Sequence, residues 1–342
     1  MNLHIFWPFI YGLNFTRRRS LSSLAVALLC FNSPLRADEA PLVSSNVPPP
    51  WAYAVNPPDL KVAKDDGSLR HVPDSALELT LTQVRDSFFS PDWHPNDHPP
   101  LPEVVAHGKK PAVLACGFCH RAGGTGGPEN ASVAGLPAAY IVQQMADFKN
   151  GTRQTSVPLR GPPKTMIAVA KAASPEEVEA AAAYFSSLKL KPNIRVIETN
   201  MVPKTQVFGW HLADLKNNEK EPIGERIIEV PEDLERFVSR DSRSRFIAYV
   251  PEGSIQKGKN LVNTGGAGIT VQCIICHGPD LRGLATIPGI AGRSPSYIIR
   301  QLYDFKHGAR AGAMSALMKP TVEHLKMEDM IALAAYAASL PP

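Results

Sequence analysis

The chain has 342 residues, of which 44% are apolar, so it is long enough for two or three domains with ordinary cores. Lys and Arg number 36 against 32 Asp and Glu, but residues 1–37 contain four arginines and no acidic residue, which leaves the rest of the chain with no net charge. A neutral chain lacks the basic surface that nucleic-acid binding needs, so we expect no nucleic-acid partner.

The N-terminus has the pattern of an export signal. Three arginines at 17–19 precede an apolar stretch at 21–31, which is too short to span a bilayer. Cys30 is a poor site for lipid attachment because the residue before it, Leu29, is not small. We therefore predict a signal peptide at 1–37 that is cleaved near Ala37, a periplasmic location, and no transmembrane segment in the mature chain.

Residues 38–102 are predicted to form a proline-rich extension, with extended backbone at its clustered prolines and one helix within 75–89. A loop follows that contains two histidines and two aspartates: Asp92, His94, Asp97 and His98. A metal site is one interpretation of this loop. The other interpretation, which its three prolines favour, is an irregular segment packed on the next domain with Trp93 partly buried.

Two identical motifs follow, Cys-x-x-Cys-His at 116–120 and again at 273–277. This spacing is the attachment signature of c-type haem. Two cysteines three residues apart on a helical turn can each form a thioether to a haem vinyl group, and the adjacent histidine can supply a nitrogen to the iron. The sequence thus predicts two covalently bound haem c groups, with cofactor-binding and iron-binding residues as follows: Cys116, Cys119, Cys273 and Cys276 for attachment, and His120 and His277 as ligands.

The alternatives for a Cys-x-x-Cys pair are a redox motif or half of a zinc site. The immediate histidine and the repeated pattern downstream favour haem. The mature chain has no cysteine to spare for a structural disulfide, because Cys30 lies inside the predicted signal peptide.

An internal repeat extends beyond the motifs, since the same residue types recur at the same distance from His120 and from His277. The matching pairs are Gly126 and Gly283, Ala134 and Ala291, Gly135 and Gly292, Tyr140 and Tyr297, Gln144 and Gln301, Phe148 and Phe305, Gly151 and Gly308, and Arg153 and Arg310. A repeat of this length means two domains of one fold, predicted at 103–189 and 251–342, each all-α with helices around a haem.

The repeat is interrupted at 190–250. Short apolar, β-branched segments bounded by Pro and charged turns predict strands near 196–197, 207–208, 227–228 and 246–250. This stretch is too long and too apolar for a plain linker. We therefore expect a small β-rich insert between the two haem domains, and a mainly α fold for the chain.

Together these residues resemble a known family, the diheme cytochromes c made of two fused class I domains, the cytochrome c-four type. The resemblance rests on the Cys-x-x-Cys-His motifs, on Tyr-x-x-x-Gln-x-x-x-Phe-x-x-Gly-x-Arg, and on a methionine 18 residues before an aromatic of the last helix. It implies that Met166 and Met318 are the distal iron ligands. It also implies that a backbone carbonyl, at Pro288 and at the equivalent Ala131, orients each proximal histidine.

Other methionines compete for the role of distal ligand. Met314 lies four residues before Met318, Met145 lies on the middle helix of the first domain, and Met327 and Met330 lie on the last helix. Alignment of the two repeats favours Met318 over Met314, and Met145 is expected to be a core residue.

An iron held by histidine and methionine has no open position for a substrate. We therefore predict an exported carrier of single electrons with no catalytic residues, whose partners are a donor dehydrogenase and an acceptor oxidase or cytochrome. One alternative is a diheme redox enzyme, such as a peroxidase or a thiosulfate-oxidising cytochrome. Others are the haem subunit of a periplasmic dehydrogenase and a redox-sensing protein.

Overall fold

The computed structural model describes residues 47–342. The predicted signal peptide at 1–37 and the first residues of the extension lie outside the described residues. Within the described part, the chain is mainly α-helical with several small sheets, which confirms the predicted fold class. None of the helices within 47–342 is long and apolar enough to cross a membrane.

The extension folds around a small apolar core of its own. Its elements are β1 (Leu69–Arg70), β2 (Leu79–Thr80) and α1 (Leu81–Arg85), followed by a 3-10 turn at Pro95–Asp97. The Thr80 hydroxyl accepts a hydrogen bond from the Gln83 amide, and the Gln83 side chain accepts one from the Thr80 amide, which is a capping box. Trp93 is 2% exposed in the core, so it is more deeply buried than the sequence predicts.

The helix of the extension is shorter than the predicted 75–89. It ends at Arg85 because Asp86 takes an extended conformation. The carboxylate of Asp86 accepts a hydrogen bond from the amide of Phe88, at 2.9 Å, and this local turn replaces the next helical turn.

The first repeat consists of five helices. They are α2 (Glu103–Ala106), α3 (Cys116–His120), α4 (Ala138–Lys149), α5 (Gly161–Ala172) and α6 (Pro175–Ser187). The sequence Ser174-Pro175-Glu176-Glu177 predicts a capped helix start with proline at the first helical position, and α6 begins there. The Ser174 hydroxyl accepts a hydrogen bond from the Glu177 amide. Helix α6 packs on α4 and α2 through an apolar core that includes Tyr184 and Phe185.

Residues 190–250 contain seven strands and one helix. The strands are β3 (Ile194–Glu198), β4 (Met201–Pro203), β5 (Thr205–Phe208), β6 (His211–Asp214), β7 (Lys220–Pro222), β8 (Ile228–Pro231) and β9 (Phe246–Val250), and the helix is α7 (Leu234–Val238). A three-stranded sheet has the order β3-β9-β8, with β3 parallel and β8 antiparallel to β9. The other strands form the antiparallel pairs β4-β7 and β5-β6.

The second repeat also has five helices. They are α8 (Ser254–Thr264), α9 (Ile274–His277), α10 (Pro295–Lys306), α11 (Lys319–Val322) and α12 (Met327–Ser339). Helices α8 and α12 make the most extensive helix contact, and Gly258 permits it because a Cβ there would collide with the carbonyl of Ala332. The core around α12 includes Leu261, Ile299 and Tyr303.

Candidate functional site

Both Cys-x-x-Cys-His motifs open into one continuous cavity of about 600 Å³ between the two repeats. All eight residues predicted as cofactor or iron ligands line this cavity: Cys116, Cys119, His120, Met166, Cys273, Cys276, His277 and Met318. Most of the other lining residues are apolar, which suits a large, flat, hydrophobic cofactor.

Each motif histidine is oriented by a backbone carbonyl. His120 Nδ1 lies 2.8 Å from the carbonyl oxygen of Ala131, and His277 Nδ1 lies 2.8 Å from that of Pro288. A carbonyl can only accept, so Nδ1 donates and Nε2 keeps its lone pair for a metal. Burial lowers the pKa of both histidines, which favours the neutral form that a metal ligand requires.

Cys116, Cys119 and His120 lie on the short helix α3. Cys276 and His277 lie on α9, and Cys273 is the N-cap residue of that helix. The four cysteines of the described residues are unpaired thiols. Burial raises the pKa of Cys116 to about 12 and that of Cys273 to about 11, so these two thiols are uncharged at neutral pH. Their i, i+3 spacing places both sulfurs of a motif on the same side of one helical turn.

The two candidate distal methionines approach the cavity from different kinds of structure. Met166 lies within α5, whereas Met318 lies between a 3-10 turn at Ser315–Leu317 and α11. Met314 also reaches the cavity but is 56% exposed. Met145 packs against the core of the first repeat. Met330 is 2% exposed in the second core, where Met327 packs at its margin.

The arginines of the cavity fit the carboxylates that haem carries, and they outnumber the four carboxylates of the protein that also line it, Glu129, Asp147, Glu177 and Asp304. Five arginines line the cavity: Arg153, Arg160, Arg293, Arg300 and Arg310. Burial lowers the pKa of Arg293 to about 10, and the buried Nε of Arg160 has no hydrogen-bond partner in the protein. Two haems have four propionates, and arginine pairs well with carboxylates, so the chain provides suitable counter-charges.

The repeated Tyr, Gln and Arg residues cross-link the two repeats. The Arg153 guanidinium donates to the Tyr297 hydroxyl at 2.7 Å and to Gln301 Oε1 at 3.1 Å. Reciprocally, Arg310 donates to the Tyr140 hydroxyl at 2.8 Å and to Gln144 Oε1 at 2.7 Å. The sequence reveals that these residues recur. It does not reveal that each arginine binds the tyrosine and glutamine of the other repeat.

Backbone hydrogen bonds also join the two repeats at these arginines. The Gln154 amide donates to the Ala309 carbonyl and the Ala311 amide donates to the Thr152 carbonyl, both at 2.7 Å. Arg153 and Arg310 thus form an isolated antiparallel bridge between the two halves of the molecule.

The extension contributes a buried contact that sequence reasoning missed. The Tyr53 hydroxyl donates to Asp304 Oδ1 at 2.7 Å and lies 3.1 Å from the carbonyl oxygen of Arg300, both on α10. Burial, with the nearby Asp304 carboxylate, raises the pKa of Tyr53. Asp304 also accepts hydrogen bonds from the amide and hydroxyl of Ser156 in the first repeat. Nothing in the local pattern around Tyr53 indicates this role, because its partners lie about 250 residues away.

The two histidines of the 92–98 loop each lie beside a carboxylate. His98 Nε2 lies 3.0 Å from Asp92 Oδ1, and His94 Nε2 lies 3.0 Å from Asp241 Oδ1 in the insert. No group of three or more His, Cys, Asp or Glu side chains within 47–342 is arranged to hold a metal ion. The loop is packed, as the second interpretation expects, but mainly on the insert, through Ser239, Asp241 and Arg243. It contacts the first repeat where the His98 ring lies against Tyr184.

Known proteins match the same features. The family described as "Cytochrome c" matches residues 105–189. Cytochrome c-554(548) of Halomonas halodenitrificans is 40% identical over 68 residues, which cover 82% of that protein and 20% of this chain. The chain belongs to the cytochrome c family.

Other matches extend over about two thirds of this cytochrome. A "Thiosulfate dehydrogenase electron acceptor" from Thiomonas intermedia is 27% identical over 234 residues, covering 68% of this chain and 81% of that protein. Cytochrome c4 of Pseudomonas aeruginosa is 23% identical over 240 residues, covering 69% of this chain and 88% of that protein. Reduced cytochrome c4 from Pseudomonas stutzeri superposes with a TM-score of 0.43 at 22% identity, over 66% of this chain and 93% of that one.

This cytochrome is therefore of the diheme, cytochrome c4-like type. It carries two covalently bound haem c groups.

Proposed function

We propose that this diheme cytochrome is an exported electron carrier, which takes single electrons from one redox protein and delivers them to another. The observation that carries the proposal is that two complete sets of predicted haem ligands line one cavity. Each haem iron, when bound, takes up and releases one electron.

The assignment of residues to the two haems follows the repeats. Cys116 and Cys119 would hold one haem by thioethers, with His120 and Met166 as its axial ligands. Cys273 and Cys276 would hold the other, with His277 and Met318. The haem domains that we propose are 103–189 and 251–342, joined by the insert at 190–250. A thioether ligand stabilises ferrous iron and raises the reduction potential.

The protein's own residues then do three things. The Ala131 and Pro288 carbonyls hold the histidine rings in one tautomer and orientation. The arginines of the cavity would neutralise haem carboxylates that would otherwise be buried without a partner. The apolar lining would limit the access of water to the bound cofactor.

A carrier fits this ligand set better than an enzyme does. With histidine and methionine on both faces of the iron, a substrate has no position to occupy unless a ligand leaves. The chain also has no cysteine in 47–342 beyond the four of the motifs, which disfavours a thiolate-ligated, thiosulfate-oxidising haem.

The named relatives suggest a type of donor. Because one relative is described as the electron acceptor of a thiosulfate dehydrogenase, we propose a periplasmic dehydrogenase as the donor. The acceptor would be an oxidase or another cytochrome. Export by the predicted signal at 1–37 would place the protein in the compartment where haem is attached.

Electron counting tests the proposal. Coulometric titration of the holoprotein should show two one-electron steps, and the reduced protein should transfer both electrons to excess oxidised azurin, a small copper protein. Catalytic consumption of hydrogen peroxide by the isolated protein, with rapid binding of cyanide at one haem, would contradict the carrier and support the enzyme.

A further inference from the structure

The two haem motifs differ on their outer sides, although they are alike towards the shared cavity. The ten residues that follow His120 are all buried or half-buried, whereas six of the ten that follow His277 are exposed. The repeats align without gaps here, so each residue of 121–130 has a counterpart in 278–287. The difference in exposure therefore arises because other segments cover the first loop, and not because the two loops have different lengths.

A segment of the insert covers the first motif. This cap consists of residues 237–242, from the end of α7 to the start of the loop before β9. Its Ser242 hydroxyl accepts a hydrogen bond from the Gly123 amide at 2.9 Å. Its Phe237 ring lies under the Arg121 guanidinium, with 4.9 Å between the guanidinium carbon and the ring centroid. The cap thus contacts the loop that follows the first motif at two separate points.

Arg240 of the cap closes over the motif itself. Its guanidinium carbon lies 3.5 Å from the centre of the Phe118 ring, within Cys-Gly-Phe-Cys-His. It also donates to the carbonyls of Phe118, at 2.9 Å, and of Val84 in the extension, at 3.1 Å. Arg240 has a φ of +62°, a conformation that a residue with a side chain adopts at a cost, so its contacts outweigh this strain.

Residues of the extension also contact the cap and hold it in place. Trp93 Nε1 donates to the carbonyl of Ser239 at 2.7 Å, and His94 pairs with the fully buried Asp241. Arg243 makes a bidentate pair with Asp97, at 2.8 and 3.0 Å. These contacts give the polar residues of the 92–98 loop a structural role, since they anchor the cap over the first motif.

The second motif has no such cover among the described residues. Ile275, which is the counterpart of Phe118, is 61% exposed, and Cys276 is exposed beside it. Leu284 on the following loop is 56% exposed. The charges nearest in sequence, Asp280 and Arg282, lie 3.7 Å apart and offset each other. The open edge is therefore apolar and weakly charged.

We propose that this cytochrome exchanges electrons with other proteins only through the edge at Ile275 and Cys276, and that the cap closes the equivalent edge of the first haem domain. The first haem would then be reduced and oxidised by electron transfer from and to the second haem, across the shared cavity. This inference rests on the proposed electron-carrier function. The partner that fits the open edge is a redox protein with an apolar docking face of low charge.

The physical reason is distance. Electron transfer between proteins slows steeply as the separation of the redox groups grows, and the cap adds a layer of side chains over the first motif. Docking at the second motif brings a partner directly against the residues that hold the haem. Apolar docking faces that exclude water also favour close approach.

Two lysine substitutions test the open edge. Ile275→Lys places a charge on it, and Val62→Lys places the same charge on a similarly exposed residue of the extension, at 56% exposure. In stopped-flow oxidation of the reduced holoprotein by excess azurin, both electrons of Ile275→Lys should leave about tenfold more slowly, and Val62→Lys should match the unmodified protein.

The alternative outcomes of this experiment are distinct. If one of the two electrons of Ile275→Lys leaves at the unmodified rate, the first edge exchanges electrons directly and the proposal is wrong. Equal slowing in Val62→Lys also contradicts it, because net charge would then explain the effect. If the unmodified protein transfers no electrons to azurin, the electron-carrier function itself fails. The unmodified rate should change less than about threefold between about 0.01 M and 0.3 M salt, and a steeper change would contradict a weakly charged edge.

Amide exchange tests the cap without any electron transfer. In the oxidised holoprotein the Gly123 amide, bonded to Ser242, should exchange with deuterium much more slowly than the amide of its counterpart Asp280. Arg240→Ala should speed the exchange at Gly123 and leave Asp280 unchanged. Equal exchange at the two amides of the unmodified protein would overturn the closed edge.

Discussion

The two haem domains match each other closely on the inner side, where the two repeats meet, and differ on the outer side, which faces away from the shared cavity. On the inner side, Arg153 and Arg310 make reciprocal contacts with the tyrosine and glutamine of the other repeat. On the outer side, Phe118 lies under Arg240 while its counterpart Ile275 is exposed. The chain keeps the same residues where the two halves meet each other. It differs at the outer face of the motifs, where the insert and the extension cover Phe118 and leave Ile275 exposed.

The largest expected effect is the loss of one haem. Replacing Cys116 and Cys119 by serine should remove one haem per chain, and replacing Cys273 and Cys276 should remove the other, if each pair provides the thioethers of its own domain as we propose. Mass spectrometry of the purified proteins measures this directly. Loss of both haems from either variant would show that the domains do not mature independently and that the symmetric inner side is essential.

The second effect concerns the distal ligands. Met166→Ala and Met318→Ala should each open one iron to carbon monoxide and lower the potential of that haem, since a thioether that stabilises ferrous iron is lost. Carbon monoxide titration of the reduced protein should show one binding site per chain in each variant. Met314→Ala is the matched control and should bind none. Binding by Met314→Ala, but not by Met318→Ala, would reverse the assignment in the second domain.

The third effect tests the reciprocal contacts of the inner side. Arg153→Gln and Arg310→Gln should each lower the free energy of unfolding by about 2 kcal/mol, because buried hydroxyl and amide oxygens lose a charged hydrogen-bond donor. The double variant should lose less than the sum, since the two arginines share Gln144 and Gln301. Denaturant unfolding of the holoprotein gives these values. Arg282→Gln, at an exposed site, is the control, and strict additivity would show that the arginines act separately.

The smallest effect depends on pH and on a contact between the insert and the second domain. Glu229 is fully buried, and its Oε2 accepts hydrogen bonds from the Ser294 hydroxyl, at 2.7 Å, and the Ser296 amide, at 3.0 Å, at the start of α10. Burial raises the pKa of Glu229 above its ordinary value of 4.5. The folded protein therefore holds this proton to higher pH than the unfolded chain does.

The sign of the pH effect follows from that difference. The stability contributed by protonated Glu229 is fully present below pH 4.5 and is lost as the pH rises through the folded-state pKa. The unfolding free energy of the unmodified protein, minus that of Glu229→Gln, should fall by about 1 kcal/mol or more as the pH rises from the acidic range to neutrality. Glu225→Gln, at an exposed site, should show no such trend. A flat difference for Glu229→Gln would show that burial does not shift this group.

Local patterns in the sequence predicted local structure well. The Cys-x-x-Cys-His spacing predicts a short helix, and α3 and α9 are observed there. Ser174 and Pro175 predict the start of α6, and the repeat predicts that α4 and α10 are equivalent. These features depend on contacts between residues a few positions apart, which a sequence pattern records.

Contacts between distant segments could not be predicted in this way. Arg153 and Arg310 each bind residues of the other repeat, and these contacts depend on how the two repeats are placed. Repetition of residue types does not specify that placement. The cap depends on Arg240 meeting Phe118 and Val84, which lie more than 120 and 150 residues before it. The 92–98 loop was ambiguous because its partners, Ser239, Asp241 and Arg243, lie in another part of the chain.

We propose that histidine and methionine hold both irons, and this ligand set is what distinguishes a carrier from an enzyme. It can be measured as the sulfur-to-iron charge-transfer band in the visible spectrum of the oxidised protein, expressed per haem. We expect an intensity that corresponds to two methionine-ligated irons per chain, reduced by half in Met166→Ala and in Met318→Ala. A band for one iron only, or for none, in the unmodified protein would contradict it.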